Sequence, residues 1–340
     1  MAEPVLSPEQ LRMLAAAGGA APSLHNSQPW RFSPKPDGNG ILVHCDPQRA
    51  VPLTDPFGRA LHVSVGAAVF NLRVAAHHLG RCAEVRLLPD PDDPRLLAEL
   101  DLSAATGTGS PVPFGRDLFP AIAERHSSRQ PFTNRDVPES DLGELIAAAD
   151  DEEVLLTPLE EAGVRRVLAV TAEAENRTIA DLARQAEIER WLRLEEPATD
   201  GIPAAALGPQ DHDARVPMRH FTGRTSAAPA MPTQRFEALP QVCTLSTRTD
   251  LPADWLRTGQ ALERVWLLAT VHGLRVSVLH QAVEWADTRW RLRDPDEPAG
   301  HIQLLARVGF GPPGPATPRR PLEEVLDLDG YQGAPGRLTS

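Results

Sequence analysis

Apolar positions recur along this chain at two periods, one helical and one alternating, and the predicted elements follow from them. Leu11, Leu14 and Ala15 stand at helical spacing behind Ser7 and Pro8, a capping residue and a first-turn proline. They predict a first helix that closes at Gly18. A polar loop bounded by prolines, 20–29, leads into two strand-like runs, Trp30–Phe32 and Ile41–Cys45, on either side of the turn PKPDGNG. Val63–Leu79 is an apolar helix placed to end at Gly80; Ala83–Leu88 reads as a strand and Leu96–Leu102 as a helix or a strand. Farther on come a short helix from Pro120, a helix over Glu139–Ala149, a strand at Val154–Leu156 and a long helix from Leu159 to about Leu194. Strand Val242–Thr247, helix Trp255–His272, strand Arg275–Leu279, helix Ala282–Leu292 and strand Gln303–Gly309 complete the pattern.

Two stretches break the periodicity. Residues 103–115 are small, uncharged and rich in Gly and Pro, the composition of a linker. They separate a first half, 1–102, from a second, 116–328, with 329–340 a flexible tail. Residues 195–240 are rich in Pro, Gly, Ala and Arg; a loop that long is expected to be a lid or a disordered insertion. The halves echo each other. Gly66, Ala68, Ala76, Gly80 and Val85 recur 193 positions later as Gly259, Ala261, Ala269, Gly273 and Val278, and Leu11, Leu14 and Ala15 recur 131 positions later as Leu142, Leu145 and Ile146. The repeat predicts an α+β fold of two related halves, packed as an internal pseudo-dimer.

Composition narrows the function. Among 340 residues, 46 are acidic and 34 basic, a net charge of -12 that disfavours nucleic acid and anionic membrane surfaces as partners. No apolar run is long enough to span a membrane, and MAEPVLSPEQ is not a signal peptide. Cys45, Cys82 and Cys243 lie far apart with no CxxC, as reduced thiols of a cytoplasmic protein would. Lys35 is the single lysine and lies in a turn, so a P-loop lysine and a Schiff base are excluded and anion binding falls to arginine.

Several motifs fail on inspection. Gly309-x-Gly311-x-x-Gly314 fits the dinucleotide pattern by letter, but Pro312 and Pro313 prevent it from opening a helix. His77–His78 and Asp211-His212-Asp213 lack a third ligand at metal spacing, so no metal is expected. There is no GxSxG, and His126 beside Ser127 and Ser128 in sequence does not make a catalytic pair. Three segments fare better. Pro22–Trp30 packs amides and hydroxyls between prolines, Arg125–Arg129 joins fixed positive charge to hydroxyls, and Pro318-Arg319-Arg320 can grip a phosphate. Together they suit one anionic, heterocyclic ligand.

These segments carry a resemblance. PSLHNSQPW looks like the PSxxNxQPW signature of the flavin-dependent nitroreductase family, and RHSSRQPF resembles that family's RxS motif. ALERVWLLATVHGLRVSVL and ARVGFG…TPRRPLEEV are similar to its buried helix and closing strand. With the DGIP segment at 200–203 and the later RHF at 219–221, the chain resembles the Acg-type, tandem-fused branch over most of residues 7–328. The resemblance implies a nitroreductase-like fold binding FMN between the halves. PSxxN occurs in the first half and RxS in the second, while the second half reads DDEEVLL after Ala149. One complete FMN site and one decayed site are therefore expected. Arg125, Arg319 and Arg320 would hold the phosphate; His126 and Ser127, with Arg129, would lie along the ribityl chain and pyrimidine edge. Pro22, Ser23, Asn26 and Gln28 would reach the ring from the opposite half, and the backbone at His280–Gln281 would approach N5. Asp200, Gly201, Arg219, His220 and Phe221 would belong to the lid. The implied activity moves a hydride from NAD(P)H through the flavin to a nitro, quinone or enone-like small-molecule acceptor, with no catalytic side chain. A flavin-sequestering protein and a specialised biosynthetic reductase or dehydrogenase are the alternatives. The pseudo-dimer implies a monomer or a homodimer.

Overall fold

Ser7 caps α1 (Pro8–Gly19) in a capping box with Gln10, and α1 buries Leu11, Leu14 and Ala15 as the spacing requires. The computed structural model describes residues 5–104, 115–195, 198–221, 231–294, 300–329 and 331. Strands β1 (Trp30–Pro34) and β2 (Gly40–Cys45) form a hairpin, followed by α2 (Arg59–His78), β3 (Arg81–Leu87) and β4 (Leu96–Ala104). They make an antiparallel sheet in the order β1-β2-β4-β3. The second part opens with α3 (Phe119–Glu124), α4 (Glu139–Asp150) and β5 (Leu155–Pro158). An insertion follows, with α5 (Glu161–Ala180) and α6 (Leu182–Glu189). It also holds two short parallel pairs, β6 (Leu192–Arg193) with β7 (Ile202–Pro203) and β8 (Gln210–Asp211) with β9 (Thr233–Gln234). Then come β10 (Gln241–Thr247), α7 (Pro252–Val271), β11 (Arg275–Val278), α8 (Ala286–Arg291), β12 (His301–Gly309) and α9 (Leu322–Val325). The second sheet runs β11-β12-β10-β5, also antiparallel.

The succession α1, β1, β2, α2, β3, β4 therefore matches α4, β5, β10, α7, β11, β12, with the same strand neighbours in each sheet. The insertion occupies the place of the tight β1–β2 turn. At the centre, α2 and α7, each of 20 residues, cross on their glycines. A Cβ on Gly66 would overlap the carbonyl of Leu256, and one on Gly259 would overlap that of Val63. Val63 and Leu256 occupy equivalent positions, so the contact is reciprocal. The cores interlock there: Leu256 and Leu267 of α7 pack with the first sheet and Val63 of α2 with the second. Past β12 the chain crosses back. Leu326 bridges Phe32 on the edge of the first sheet, and Asp327 N donates to the Phe32 carbonyl at 2.8 Å.

Three sequence expectations are corrected. The helix expected over 159–194 is two helices, because Asp181 adopts extended backbone and its side chain accepts from the amides of Ala183 and Arg184, restarting the helix as α6. The helix expected from Ala282 opens instead as a 3-10 turn, Gln281–Val283; the Val283 carbonyl is taken by Arg59 Nη2 at 2.9 Å and is lost to helix pairing. The linker expected from residue 103 begins later, since β4 runs to Ala104; residues 105–114 lie outside the described residues. So do 196–197 and 222–230 of the expected lid, and 330 and 332–340 of the expected tail. Within that tail the Tyr331 hydroxyl donates to the Leu6 carbonyl at 2.8 Å. Among the described residues no helix is long and apolar enough to cross a membrane.

Candidate functional site

The loop that leaves α1 is strained. His25, Asn26 and Gln28 hold left-handed φ angles of 54°, 54° and 53°, a conformation that costs a non-glycine residue about 1–2 kcal/mol. Surrounding hydrogen bonds compel it. Leu24 N donates to Ser64 Oγ on α2 at 3.3 Å, and Gln28 N donates to Ser23 Oγ at 2.9 Å. The Asn26 amide donates to the carbonyls of Gly201 (2.9 Å) and Pro318 (3.0 Å), tying the loop to the insertion and to the C-terminal segment.

Behind this loop is a cavity of about 130 Å³. Pro22, Ser23 and His25 line it from the first half, with Ala60, Val63 and Ala67 of α2; Leu262 and Trp266 of α7 and residues 277–281 line it from the second. A smaller recess of about 50 Å³ adjoins it, sharing Pro22, Ser23, His25, Ser127 and Arg129 and adding Asn26, Arg125, His126, Ile202, Thr317 and Arg319. The large cavity is mostly apolar, whereas the recess is cationic. Its volume lies below the roughly 300 Å³ of ordinary small-molecule sites, and Met218, Arg219 and Phe221 of the insertion form part of its wall.

Positive charge in the recess exceeds its compensation. Arg125 Nη2 and Arg319 Nη2 donate to the same carbonyl, that of Ala20, at 3.0 and 2.9 Å. Arg319 Nη1 also donates to Asn26 Oδ1 (3.1 Å) and Thr317 Oγ1 (2.7 Å), while its Nε has no partner among the described residues. The carboxylate present is Glu263, 3.1 Å from Arg125 Nε. Burial, aided by Arg125, brings Arg319 down to about 9. Arg129, between cavity and recess, is half-buried with no carboxylate partner among the described residues; the loss of water around its guanidinium brings it to about 10. It donates to the Ala206 carbonyl at 2.7 Å and lies 5.0 Å from the Phe221 ring. Such a cluster calls for an anion.

The rim of the large cavity is a second buried polar cluster. Arg219 donates from Nη1 to Glu284 Oε2 at 3.2 Å, makes a shorter contact from Nη2 to Oε1, and lies 3.8 Å from Glu175. Burial alone would raise Glu284, but Arg219 and His280 outweigh it and hold it near 2. His280 Nδ1 is 3.0 Å from Glu284 Oε1, and its Nε2 has no partner. Burial pushes His25 down to about 3, so its imidazole is neutral, and its Nε2 is likewise unpartnered.

Of the residues singled out from the sequence, Pro22, Ser23, Asn26, Arg125, His126, Ser127, Arg129, His280, Gln281 and Arg319 meet at these walls. Gln28 and Arg320 do not. The Gln28 side chain bridges the Thr199 carbonyl (2.9 Å) and Arg320 N (2.8 Å), and Arg320 turns to Glu324 and Asp46. In the insertion, Arg219 and Phe221 reach the cavity. Asp200 instead pairs with Arg49 and Arg193, Gly201 bonds Asn26, and His220 gives its backbone N–H to Glu175 at 2.6 Å. Gly314 serves packing: a Cβ there would overlap the Ser127 carbonyl. Among the described residues, no group of three His, Cys, Asp or Glu could hold a metal. Sequence reading passed over His25, Glu263 and Glu284. Glu263 did carry a signal, an acid one residue after Leu262 and three before Trp266 on a helix face otherwise buried.

No family model matches the chain. Curated relatives do. The Mycobacterium tuberculosis protein named "Putative NAD(P)H nitroreductase acg" is 31% identical over 318 residues, covering 91% of this chain and 92% of the relative. A second from the same organism, also named a "Putative NAD(P)H nitroreductase", is 31% identical over 326 residues, 94% and 91% of the two chains. Solved structures give fainter likenesses. An FMN-bound nitroreductase of Bacteroides fragilis shares 13% identity over 61% of this chain and 94% of its own, with a TM-score of 0.36. The FMN-dependent nitroreductase NfnB of Mycobacterium smegmatis, in complex with NADPH, shares 14% over 56% and 85%, with a TM-score of 0.32. On the near-complete coverage of the curated relatives, the chain belongs to the nitroreductase family, in the branch that holds the acg protein.

Proposed function

We propose that the chain is an FMN-dependent oxidoreductase of the nitroreductase class. One observation carries this reading: an apolar cavity continues into a recess lined by Arg125, Arg129 and Arg319, where among the described residues one carboxylate, Glu263, stands against Arg125 and Arg319. A flat heterocycle with an anionic tail satisfies both ends. Arg125 and Arg319 would hold the phosphate, His126 and Ser127 the ribityl chain, and Pro22 and Ser23 the ring edge, with the backbone at His280–Gln281 beside N5 and Arg129 between ring and tail. When bound, the flavin supplies two-electron chemistry between NAD(P)H and a nitro, quinone or enone-like acceptor. The residues around it bind, orient and exclude water. Trp266, Leu262, Val63 and Leu304 supply the dry wall, and the strained loop at His25–Gln28 brings polar groups of one half to a site of the other. The names of the curated relatives support NAD(P)H as donor.

We read the chain as two halves, 1–102 and 116–328, forming an internal pseudo-dimer; the matching strand orders and the reciprocal Gly66–Gly259 contact support this. The equivalents of Ser64, Ala67 and Trp266 are Arg257, Gln260 and Arg73. There Arg73 donates to Glu152 (2.6 Å) and Gln260 (2.9 Å), Arg264 donates to Glu152 (2.9 Å), and Arg257 lies 3.4 Å from Glu153. This ion-pair network supports a single flavin per chain. Cytoplasmic placement rests on the unpaired Cys45, Cys82 and Cys243.

The insertion favours a second reading, flavin sequestration, because Met218, Arg219 and Phe221 take up room at the cavity wall. An anaerobic NADPH titration followed in the visible flavin band separates the two. Bleaching at stoichiometric NADPH is the outcome expected of a reductase. A yellow protein that ignores NADPH yet bleaches with dithionite overturns turnover in favour of sequestration, and a protein that takes up no flavin overturns both.

A further inference from the structure

Glu263 lies midway along α7, wholly buried, with Nε of Arg125 3.1 Å from its Oε1 and the Asn71 side chain bonded beside it. The groups that face it are Arg125 from the segment after α3, Asn71 from α2 and Arg319 from the C-terminal segment. Neither arginine has another carboxylate partner among the described residues. The cluster is thus two cations around one buried anion, with Arg319 half-buried at the recess wall.

We propose that Glu263 is a built-in counter-ion for the phosphate recess: ionised, it balances Arg125 in the ligand-free protein, and it takes up a proton when a phosphate monoester enters. The proposal rests on the flavin reading of the site but concerns only its anionic end. The charge balance supports it. Arg125, Arg319 and an ionised Glu263 sum to one positive charge; Arg129, which donates to the Ala206 carbonyl, is not among the groups that face Glu263. A phosphate monoester brings close to two negative charges. With Glu263 still ionised, two anions would share a buried site with a net negative charge, the arrangement that raises carboxyl protonation most strongly. With Glu263 protonated the cluster is neutral, and both arginines are free to turn their donors to the phosphate. One proton from solvent ends on a Glu263 oxygen; no other bond changes. Burial already brings Glu263 up to about 7, so the proton is taken at modest cost near neutrality. Glu263 acts through Arg125, as a positioning residue.

The test is calorimetric titration of the flavin-free full chain with FMN and with riboflavin, in two buffers of different ionisation enthalpy. It is run at about pH 8, above the second phosphate ionisation near pH 6. FMN is expected to bind with uptake of close to one proton and riboflavin with none. The Kd for FMN should rise up to about tenfold per pH unit above this, while that for riboflavin stays flat. Glu263→Gln should abolish the uptake and flatten the FMN profile. Equal uptake with both ligands, no uptake with FMN, or uptake that persists in Glu263→Gln each overturns the proposal. If that variant does not fold, infrared difference spectroscopy of the wild type decides, since His126 also lines the recess: a protonated-carboxyl band that appears with FMN and not with riboflavin is expected, and its absence overturns the proposal. If FMN does not bind, the flavin reading falls; inorganic phosphate is then the probe, and its binding without proton uptake overturns the proposal as well.

Discussion

Arg125 and Arg319 donate to one carbonyl and repel each other across it, with one carboxylate, Glu263, set against the two among the described residues. Replacing either by alanine should remove charge-assisted bonds to the phosphate, each about 1.5–3 kcal/mol, or roughly a ten- to 150-fold rise in the Kd for FMN. The two losses should not add, because the side chains share partners. Fluorescence titration with FMN, and with riboflavin as the control that lacks a phosphate, measures both; variants that keep full flavin through dialysis would show the phosphate lies elsewhere. Glu263 imposes a pH dependence on the flavin-free protein. Its carboxyl titrates near 7 when folded, against 4.5 ordinarily, with burial as the chief cause. Between those values the folded state keeps a proton that the unfolded chain has released. Stability should therefore fall as pH rises from about 4.5 to 7, by about 3 kcal/mol, and level off above. Urea unfolding at stepped pH should show that decline in the wild type and its loss in Glu263→Gln. The arginines were legible in the sequence because fixed charge beside hydroxyls is conspicuous. Glu263 and Glu284 were not, because what marks them is a partner more than 60 residues away, Arg125 and Arg219 respectively.

Most helices and strands were legible, since Ser7, Gly80 and the apolar spacing state their bounds locally. The failures are tertiary. Nothing in the helix-forming run 159–194 announces that Asp181 will turn aside, and the 3-10 turn at Gln281–Val283 depends on Arg59, 224 residues away in sequence. The crossing of α2 on α7 is the most exacting packing in the fold. Gly66→Ala or Gly259→Ala would drive a methyl into a helix backbone, and each should destabilise by about 1–3 kcal/mol or more. A thermal melt that does not move would refute the close approach. In the insertion, Arg219 is pinned by Glu284 and Glu175, and breaking a buried pair costs about 3–5 kcal/mol. If that pair holds the insertion over the ring, Arg219→Gln should speed flavin reduction by NADPH at least tenfold in stopped flow. An unchanged rate would assign the pair to stability alone.

On the proposed reading of two halves, each would supply what the other lacks. The 193-residue offset in the sequence relates α2 and β3 to α7 and β11, but it says nothing of strand order or of the return of the chain after β12, where Leu326 bridges Phe32 and Asp327 bonds the same residue. That crossing places Thr317, Pro318 and Arg319 against Asn26 in one pass and lays the C-terminal segment along the first sheet. It also makes the molecule a candidate for fragment complementation. Residues 1–104 carry Pro22, Ser23 and Asn26 without a cationic recess; residues 115–340 carry Arg125, Arg129 and Arg319 without the loop that closes over them. Expressed apart, the two pieces should come through dialysis after exposure to FMN colourless; mixed, they should retain the yellow flavin as the Gly66–Gly259 contact re-forms, with the vitamin derivative acting as the adhesive that reports their reunion.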